Sequence, residues 1–131
     1  LYAKADFLKF QNKISEAISI LDKLVSEHNT HAIVDEALLL QAELFEITTQ
    51  NQKAKDNYLK IIKDFSSEIL IDDAHFALAE LFRKVLNQTE KALQYYEKII
   101  FNYPDSIHFV ESKKHFRNLR TKSKNKTTID L

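Results

Sequence analysis

One short pattern occurs three times along this chain, and it constrains the fold more than any other feature. Each copy begins with an alanine, has a large apolar or aromatic residue four positions later, and ends with a lysine followed by two aliphatic residues. The alanines are Ala17, Ala54 and Ala92, spaced 37 and then 38 residues apart. Repetition at a period of tens of residues is typical of proteins built from stacked structural repeats.

The apolar residues within each copy recur at the spacing of an α-helix. In the last copy they are Ala92, Tyr96, Ile99 and Tyr103, an i, i+4, i+7 stripe. The segments before the copies carry stripes of their own, each with one small residue where two helices would cross. A small side chain lets helix axes approach to about 8–10 Å. These crossing residues are Ala5, Ala42 and Ala79.

Composition favours the same interpretation. The chain has 131 residues, one proline, and no glycine, cysteine, methionine or tryptophan. Without glycine, tight β-hairpins and phosphate-binding loops are disfavoured. Without cysteine there is no disulfide and no thiolate metal site, and the redox compartment is left open. We predict an all-α solenoid of helical hairpins with about three repeats, the first truncated, plus a C-terminal capping helix.

Polar residues mark the expected helix boundaries. Asn87 with Glu90 predicts a capping box at the start of the Ala92 helix, and Asn12 marks the matching turn of the first repeat. Ser106, just after Pro104, is placed to cap the next helix. That last helix should span residues 107–120.

The end of the chain differs in composition from the rest. Residues 121–131 lack periodicity and are rich in Lys, Ser, Thr and Asn. We therefore predict a repeat domain at 1–120 and a basic flexible tail at 121–131. The first residue already lies in a helical pattern and is not Met, so we expect the chain to be part of a longer protein.

The small and aromatic residues resemble those of the tetratricopeptide repeat (TPR). That family has two helices with a small residue in the first, an aromatic three positions later, an alanine opening the second, an aromatic four positions further, and a proline after the second helix. The matching residues are Ala42, Phe45, Ala54 and Tyr58, then Ala79, Phe82, Ala92, Tyr96 and Pro104, with Ala5, Leu8, Ala17 and Leu21 in the first repeat.

The chain departs from the family pattern at its turns and in its period. The usual turn glycine is absent, with Asn12, Thr49 and Gln88 nearby, and the period exceeds 34 residues. The longer period resembles repeats of bacterial envelope proteins, such as the outer-membrane assembly lipoprotein and the accessory protein of the Tol–Pal system. That resemblance favours the periplasm or cell envelope over the cytoplasm.

No group of residues suggests catalysis. His28 and His31 have a spacing that could hold a metal, but without cysteine or a third ligand a polar loop is the better interpretation. No serine or threonine lies in a nucleophile motif. We predict that the protein is not an enzyme, has no metal and needs no cofactor.

The family resemblance implies a binding groove on the first helices. Positions three before and one after the small residue commonly face the ligand. Three apolar residues beside three carboxylates would suit a partner peptide or helix that carries Lys or Arg with apolar anchors. The alternative is that these positions are ordinary solvated faces. The predicted groove residues are Tyr2, Leu39 and Phe76 with Asp6, Glu43 and Glu80.

Charge is distributed unevenly along the chain. Residues 1–112 contain 12 Lys and Arg against 18 Asp and Glu, whereas residues 113–131 contain 7 against 1. This basic end could be a solubilising tail, a contact for anionic lipid or nucleic acid, or a contact for the acidic groove of a second copy. Few aromatics interleave with the cations, which disfavours nucleic acid. The cations are Lys113, Lys114, Arg117, Arg120, Lys122, Lys124 and Lys126.

Two functions follow from these patterns. The first is a non-catalytic protein–protein interaction scaffold with an acidic and apolar groove. The alternative is a structural spacer of a larger chain whose basic end contacts an anionic membrane or nucleic acid.

Overall fold

The computed structural model describes the backbone of residues 2–27, 31–64 and 70–130, and the side chains of residues 10–27, 33–64 and 70–122. Every regular element in those ranges is an α-helix, so the predicted all-α fold is confirmed. The chain separates into two compact units, Leu1–Leu70 and Ile71–Leu131. The helices are α1 (Tyr2–Glu27), α2 (His31–Ile47), α3 (Asn51–Asp64), α4 (Ile71–Lys84), α5 (Thr89–Asn102) and α6 (Phe109–Asp130).

The first unit packs α1 and α3 against α2. The predicted crossing residues Ala42 and Ala54 have no exposed surface, and neither do Tyr58 and Ile61 on α3. Because an alanine leaves only a methyl group between two helix backbones, α2 and α3 can pack closely there. The repeated alanine therefore marks the place where the hairpin is closed, as the sequence predicts.

A buried amide connects all three helices of this unit. Gln41 on α2 is 3% exposed. Its Nε2 donates to the backbone oxygen of Ile18 at 3.1 Å and to Oδ1 of Asp22 at 2.5 Å, both on α1. Nδ2 of Asn57 on α3 donates to Oε1 of Gln41 at 2.7 Å. With its donors and acceptor satisfied, Gln41 fixes the register of α2 against both neighbours.

The turn between α2 and α3 depends on a threonine in the left-handed backbone conformation. Thr49 has φ of 58°. Its N–H donates to the oxygen of Glu46 at 3.0 Å, and the N–H of Gln50 donates to the oxygen of Phe45 at 2.7 Å. This pair of hydrogen bonds is typical of a helix C-terminus at which the residue in the left-handed conformation is glycine. Thr49 therefore occupies the glycine position of the family pattern at a cost of about 1–2 kcal/mol.

The predicted turn at Asn12 is wrong, because α1 continues through it from Tyr2 to Glu27. Asparagine lowers helix stability by less than about 1 kcal/mol relative to alanine, which is too little to end a helix. Among the residues the structure describes, positive φ occurs only at Thr49, between α2 and α3, and at Asn87, between α4 and α5. The truncated first hairpin is therefore replaced by a single long helix.

The second unit packs α4 and α6 against α5. Its crossing alanines, Ala79 and Ala92, are fully buried, as are Leu78, Tyr96 and Ile99. The same small-residue crossing therefore occurs in both units. This agreement supports the 37- to 38-residue repeat as a structural unit.

The predicted capping box at Asn87 and Glu90 is wrong. Asn87 has φ of 51°, and Gln88 precedes α5 without a side-chain cap hydrogen bond. The N–H of Gln88 instead donates to the oxygen of Phe82 at 2.9 Å. Asparagine tolerates the left-handed conformation better than most residues, so Asn87 turns the chain after α4 rather than capping α5.

Ser106 lies in the turn before α6 but is not its N-cap, because α6 begins at Phe109 and not at the predicted residue 107. Its Oγ accepts the N–H of His108 at 3.1 Å and donates to Oδ2 of Asp72 on α4 at 2.5 Å. The Ser106 hydroxyl therefore stabilises the turn before α6 and also joins this turn to α4.

The predicted end of the last helix at residue 120 is wrong, because α6 continues to Asp130. No glycine or proline follows Arg120 to stop it, and Lys, Ser, Thr and Asn are only weaker helix formers. A helix boundary does not measure mobility, so the division into a repeat domain at 1–120 and a flexible tail at 121–131 stays a prediction.

Replacing Thr49 with glycine should stabilise the protein. Thr49→Gly removes the left-handed strain of a β-branched residue, and the greater flexibility of glycine in the unfolded chain offsets part of the gain. We expect the free energy of unfolding to rise by about 0.5–1 kcal/mol in urea denaturation. Asn87→Gly is the matched control and should gain less, because asparagine tolerates that conformation. Equal gains would contradict strain at Thr49.

Replacing Ser112 with alanine should also stabilise the protein. Ser112 on α6 has no exposed surface, and its Oγ has no hydrogen-bond partner among the described residues. Ser112→Ala removes a buried polar group, so the free energy of unfolding should rise by about 1 kcal/mol. Ser106→Ala, which breaks two bonds, should lower it by a similar amount. A loss of stability in Ser112→Ala would show that the hydroxyl has a partner.

Candidate protein-binding surfaces

The predicted groove residues pair along the helices as the sequence suggests. Leu39 and Glu43 are four residues apart on α2, and Phe76 and Glu80 are four apart on α4, so each pair lies on one helix face. Tyr2 and Asp6 lie on α1, and their side chains fall outside the described residues. The two described pairs differ in what surrounds them.

The α2 pair lies within a broader exposed face. Glu36, Leu40 and Ile47 fall within about 100° of Leu39 and Glu43 around the helix axis. Leu40 is 50% exposed and Ile47 58% exposed, Glu36 and Glu43 are exposed, and Leu39 is half-buried. We call these five residues the α2 face. It presents apolar side chains beside two carboxylates.

Phe76 on α4 is partly covered from within its own unit. Its ring stacks on that of His108, with 4.3 Å between centroids and 8° between planes. Nε2 of His108 lies 2.7 Å from Oδ1 of Asp73, which holds the imidazole over the phenyl ring. One side of Phe76 is therefore occupied by the turn that precedes α6.

Glu80 on α4 is the centre of a polar cluster. Tyr96 on α5 donates its hydroxyl to Oε1 at 2.5 Å, Arg83 donates to Oε2 at 3.0 Å, and Nζ of Lys84 lies 2.8 Å from Oε2. Burial raises the pKa of Glu80, but the hydrogen bonds from Lys84, Tyr96 and Arg83 outweigh it and lower the pKa to about 2. This carboxylate is ionised and internally paired.

The cluster also reaches α6. Nε2 of His115 lies 3.5 Å from Oε1 of Glu80 and 3.5 Å from Oε2 of Glu111. Burial and then the Arg83 cation lower the pKa of His115, against the opposite effect of the two carboxylates. Glu80 therefore joins α4 to α5, and His115 places α6 beside this cluster.

The first unit has a simpler version of this contact. The hydroxyl of the fully buried Tyr58 donates to Oε2 of Glu46 on α2. Burial and then this bond raise the pKa of Tyr58. Glu46 lies 37 residues before Arg83, so these two residues occupy equivalent positions of the repeat. The equivalent tyrosines Tyr58 and Tyr96 are therefore hydrogen-bonded by different residue types on the first helix of each hairpin.

Sequence reasoning missed the roles of Arg83, His108 and His115. A signal was present for Arg83, since a tyrosine at a buried repeat position needs a polar partner for its hydroxyl. The two histidines had no such signal, because nothing in their local pattern connects them to residues about 35 positions away on α4.

The basic end is exposed along α6. Lys114, Arg117, Arg120 and Lys122 are exposed and Lys113 is half-buried, whereas the side chains of Lys124 and Lys126 fall outside the described residues. Nζ of Lys113 lies 5.3 Å from the Phe109 ring centroid, and the Arg120 guanidinium lies 5.5 Å from that of Phe116. In the described part of the chain, these five cations form no ion pair with a carboxylate.

Among the described residues, no three His, Asp or Glu side chains come close enough to hold a metal ion. The His28 and His31 side chains lie outside them. None of the described helices has the length and apolar character needed to span a membrane.

Comparison with known families gives one match. Residues 73–106, which cover most of α4, all of α5 and the turn to Ser106, match the model of the tetratricopeptide repeat. Over these residues the chain is similar to a tetratricopeptide repeat. The TPR-like helical-repeat fold is thereby confirmed, and this repeat is a non-catalytic fold that generally mediates binding between proteins. No curated protein matches the chain significantly, nor does any solved structure.

Neutralising Glu80 should destabilise the protein in a pH-dependent way. The folded-state pKa is about 2 against an ordinary 4.5, so the stabilisation is complete above pH 4.5 and is lost as pH falls towards 2. Glu80→Gln should therefore lower the free energy of unfolding by about 1–3 kcal/mol at pH 7. The difference from the parent should shrink in melts below pH 4.5. A difference that is constant with pH would contradict the ionised cluster, and exposed Glu97→Gln is the control.

Proposed function

We propose that this chain is a non-catalytic protein-interaction module that binds a partner segment carrying Lys or Arg together with apolar anchors. The observation that carries the proposal is the α2 face, where apolar side chains stand exposed beside two carboxylates. The tetratricopeptide-repeat match supports a binding role of this general kind.

The chemistry of the α2 face favours an amphipathic basic partner. Leu40 and Ile47 expose half or more of their surface, so covering them releases water from apolar carbon. Glu36 and Glu43 lie beside them, between Leu39 and Ile47 around the helix, and would attract cations of the partner. A short helix or extended peptide with alternating basic and apolar residues meets both requirements.

The α4 pair lies in the second unit and would contribute mainly apolar contact to a partner. Glu80 is neutralised by Arg83 and Lys84, and a ligand cation would have to compete with them. The Phe76 ring is stacked on His108 and also meets the Tyr96 ring edge-on, with 6.0 Å between centroids. We therefore propose that Glu80 contributes little to charge selection, and Tyr2 and Asp6 on α1 remain predicted groove residues.

The proposed setting is the periplasm or cell envelope, on the resemblance of the long repeat period to envelope proteins. A structural spacer is the competing role. It predicts that charge changes on the α2 face leave every interaction of the protein unchanged.

The binding role can be tested by selecting peptides from a displayed library on the parent protein. We expect the selected peptides to be rich in Lys or Arg and in apolar residues. Glu43→Lys should weaken their binding about tenfold, because it replaces an attraction with a repulsion. Glu16→Lys, on an exposed position of α1, is the matched control and should bind as the parent does.

Three results would contradict the proposal. One is selection of acidic peptides, another is equal binding by the parent and Glu43→Lys, and the third is an equal loss in Glu16→Lys. Ile47→Ala provides a neutral check, since it should also weaken binding without changing charge.

A further inference from the structure

The face of α6 that matches the α5-binding face of α4 carries cations in place of small and aromatic residues. On α4, Ala79 is fully buried, and Phe82 stacks on Tyr95 of α5 with 5.7 Å between centroids. His75 lies 6.0 Å from the same tyrosine ring. The residues 38 positions after His75, Ala79 and Phe82 are Lys113, Arg117 and Arg120.

Apolar residues line both sides of this cationic face. Phe116 and Arg120 line a groove shared with Leu93, Glu97 and Phe101 of α5, and Phe101 is 73% exposed. Phe109 and Val110 line a second hollow with Lys113 and Arg117, and Val110 is 73% exposed. We call this whole surface the α6 face. It follows the helix axis and presents cations between apolar residues.

Within the described residues, α6 does not end where α4 does. Helix α4 ends at Lys84, and the chain then turns so that α5 covers it. The residue that matches Leu86 in this turn is Lys124, where α6 is still helical and continues to Asp130. No described helix covers the part of α6 that matches the α5-binding face of α4, and Arg117 and Arg120 are exposed there.

We propose that the α6 face binds an acidic amphipathic α-helix of a partner protein. Carboxylates of that helix would pair with Lys113, Arg117 and Arg120, and its apolar stripe would cover Phe101 and Phe116. Arginine suits this role because its planar guanidinium can pair with a carboxylate through two hydrogen bonds. The bound helix would lie along the face that matches the α5-binding face of α4, but farther from the helix axis, because Arg117 stands where α4 has the small Ala79.

Two features favour a helix over an anionic membrane. The groove lies between two helices, a shape that a third helix fills and a flat bilayer does not. Its α5 side carries Glu90 and Glu97. A helix can turn its apolar stripe towards these carboxylates and its own carboxylates towards α6, whereas an anionic bilayer presents negative charge to both sides. The α6 face and the α2 face lie on different helices and have opposite charge preferences, so each proposal can fail alone.

The probe is a helix-stapled peptide with the sequence of α5 in which Lys91 and Lys98 are changed to glutamate. This peptide keeps the apolar residues through which α5 packs on α4. A control peptide carries the same stripe with Glu90 and Glu97 changed to lysine. Binding of each labelled peptide to the full chain is measured by fluorescence anisotropy at low and at high salt.

We expect the acidic peptide to bind the parent and the basic peptide to bind much less. Lys113→Glu with Arg117→Glu should weaken binding of the acidic peptide about tenfold or more, and Phe101→Ala about threefold. The charge-matched control, Lys60→Glu with Lys63→Glu on α3, should bind as the parent does. Circular dichroism spectra confirm that each variant remains folded.

Several outcomes would overturn the proposal. They are failure of the acidic peptide to bind, equal binding of the basic peptide, or an equal loss in the α3 control. Sedimentation with phosphatidylserine vesicles and analytical ultracentrifugation would then identify the occupant. Vesicle binding that requires Lys113 and Arg117 would indicate a membrane, and self-association that requires them would indicate a second copy.

Discussion

The close crossing of paired helices at buried alanines is the constraint on which the rest of this structure depends. Ala42 with Ala54, and Ala79 with Ala92, are all fully buried in their hairpins. A larger side chain at any of them would separate the helices and expose the residues packed around the crossing. Once the crossing is fixed, the tyrosine four residues after the second alanine must enter the core, because i and i+4 share a helix face.

Each buried tyrosine then requires a polar residue on the first helix of its hairpin, because a buried hydroxyl needs a hydrogen-bond partner. Tyr58 uses Glu46, whereas Tyr96 uses Glu80 and also accepts from Nε of Arg83 at 2.9 Å. In the second unit Glu80, one of the predicted groove residues, is thereby engaged in joining α4 to α5.

The two candidate surfaces follow from the uneven distribution of charge along the repeats. The α2 face presents carboxylates among leucine and isoleucine, and the α6 face presents lysine and arginine among phenylalanine and valine. Both consist of amphipathic helix faces, and the partners proposed for them have opposite charge.

The sequence by itself determined the helical class, the repeat period and the crossing alanines of the two hairpins, because these depend on local periodicity and residue size. The predicted first-repeat crossing is wrong, because Ala5 and Ala17 lie on the single helix α1. It also placed Ser106 at the approach to α6. It misplaced the Asn12 turn, the capping box at Asn87 and the end of α6, because a helix boundary depends on small differences between competing local conformations. Only the tertiary structure decided that Glu80 is internally paired and that Phe76 is stacked under His108. Those contacts join residues far apart in the chain, and no local pattern encodes such distances.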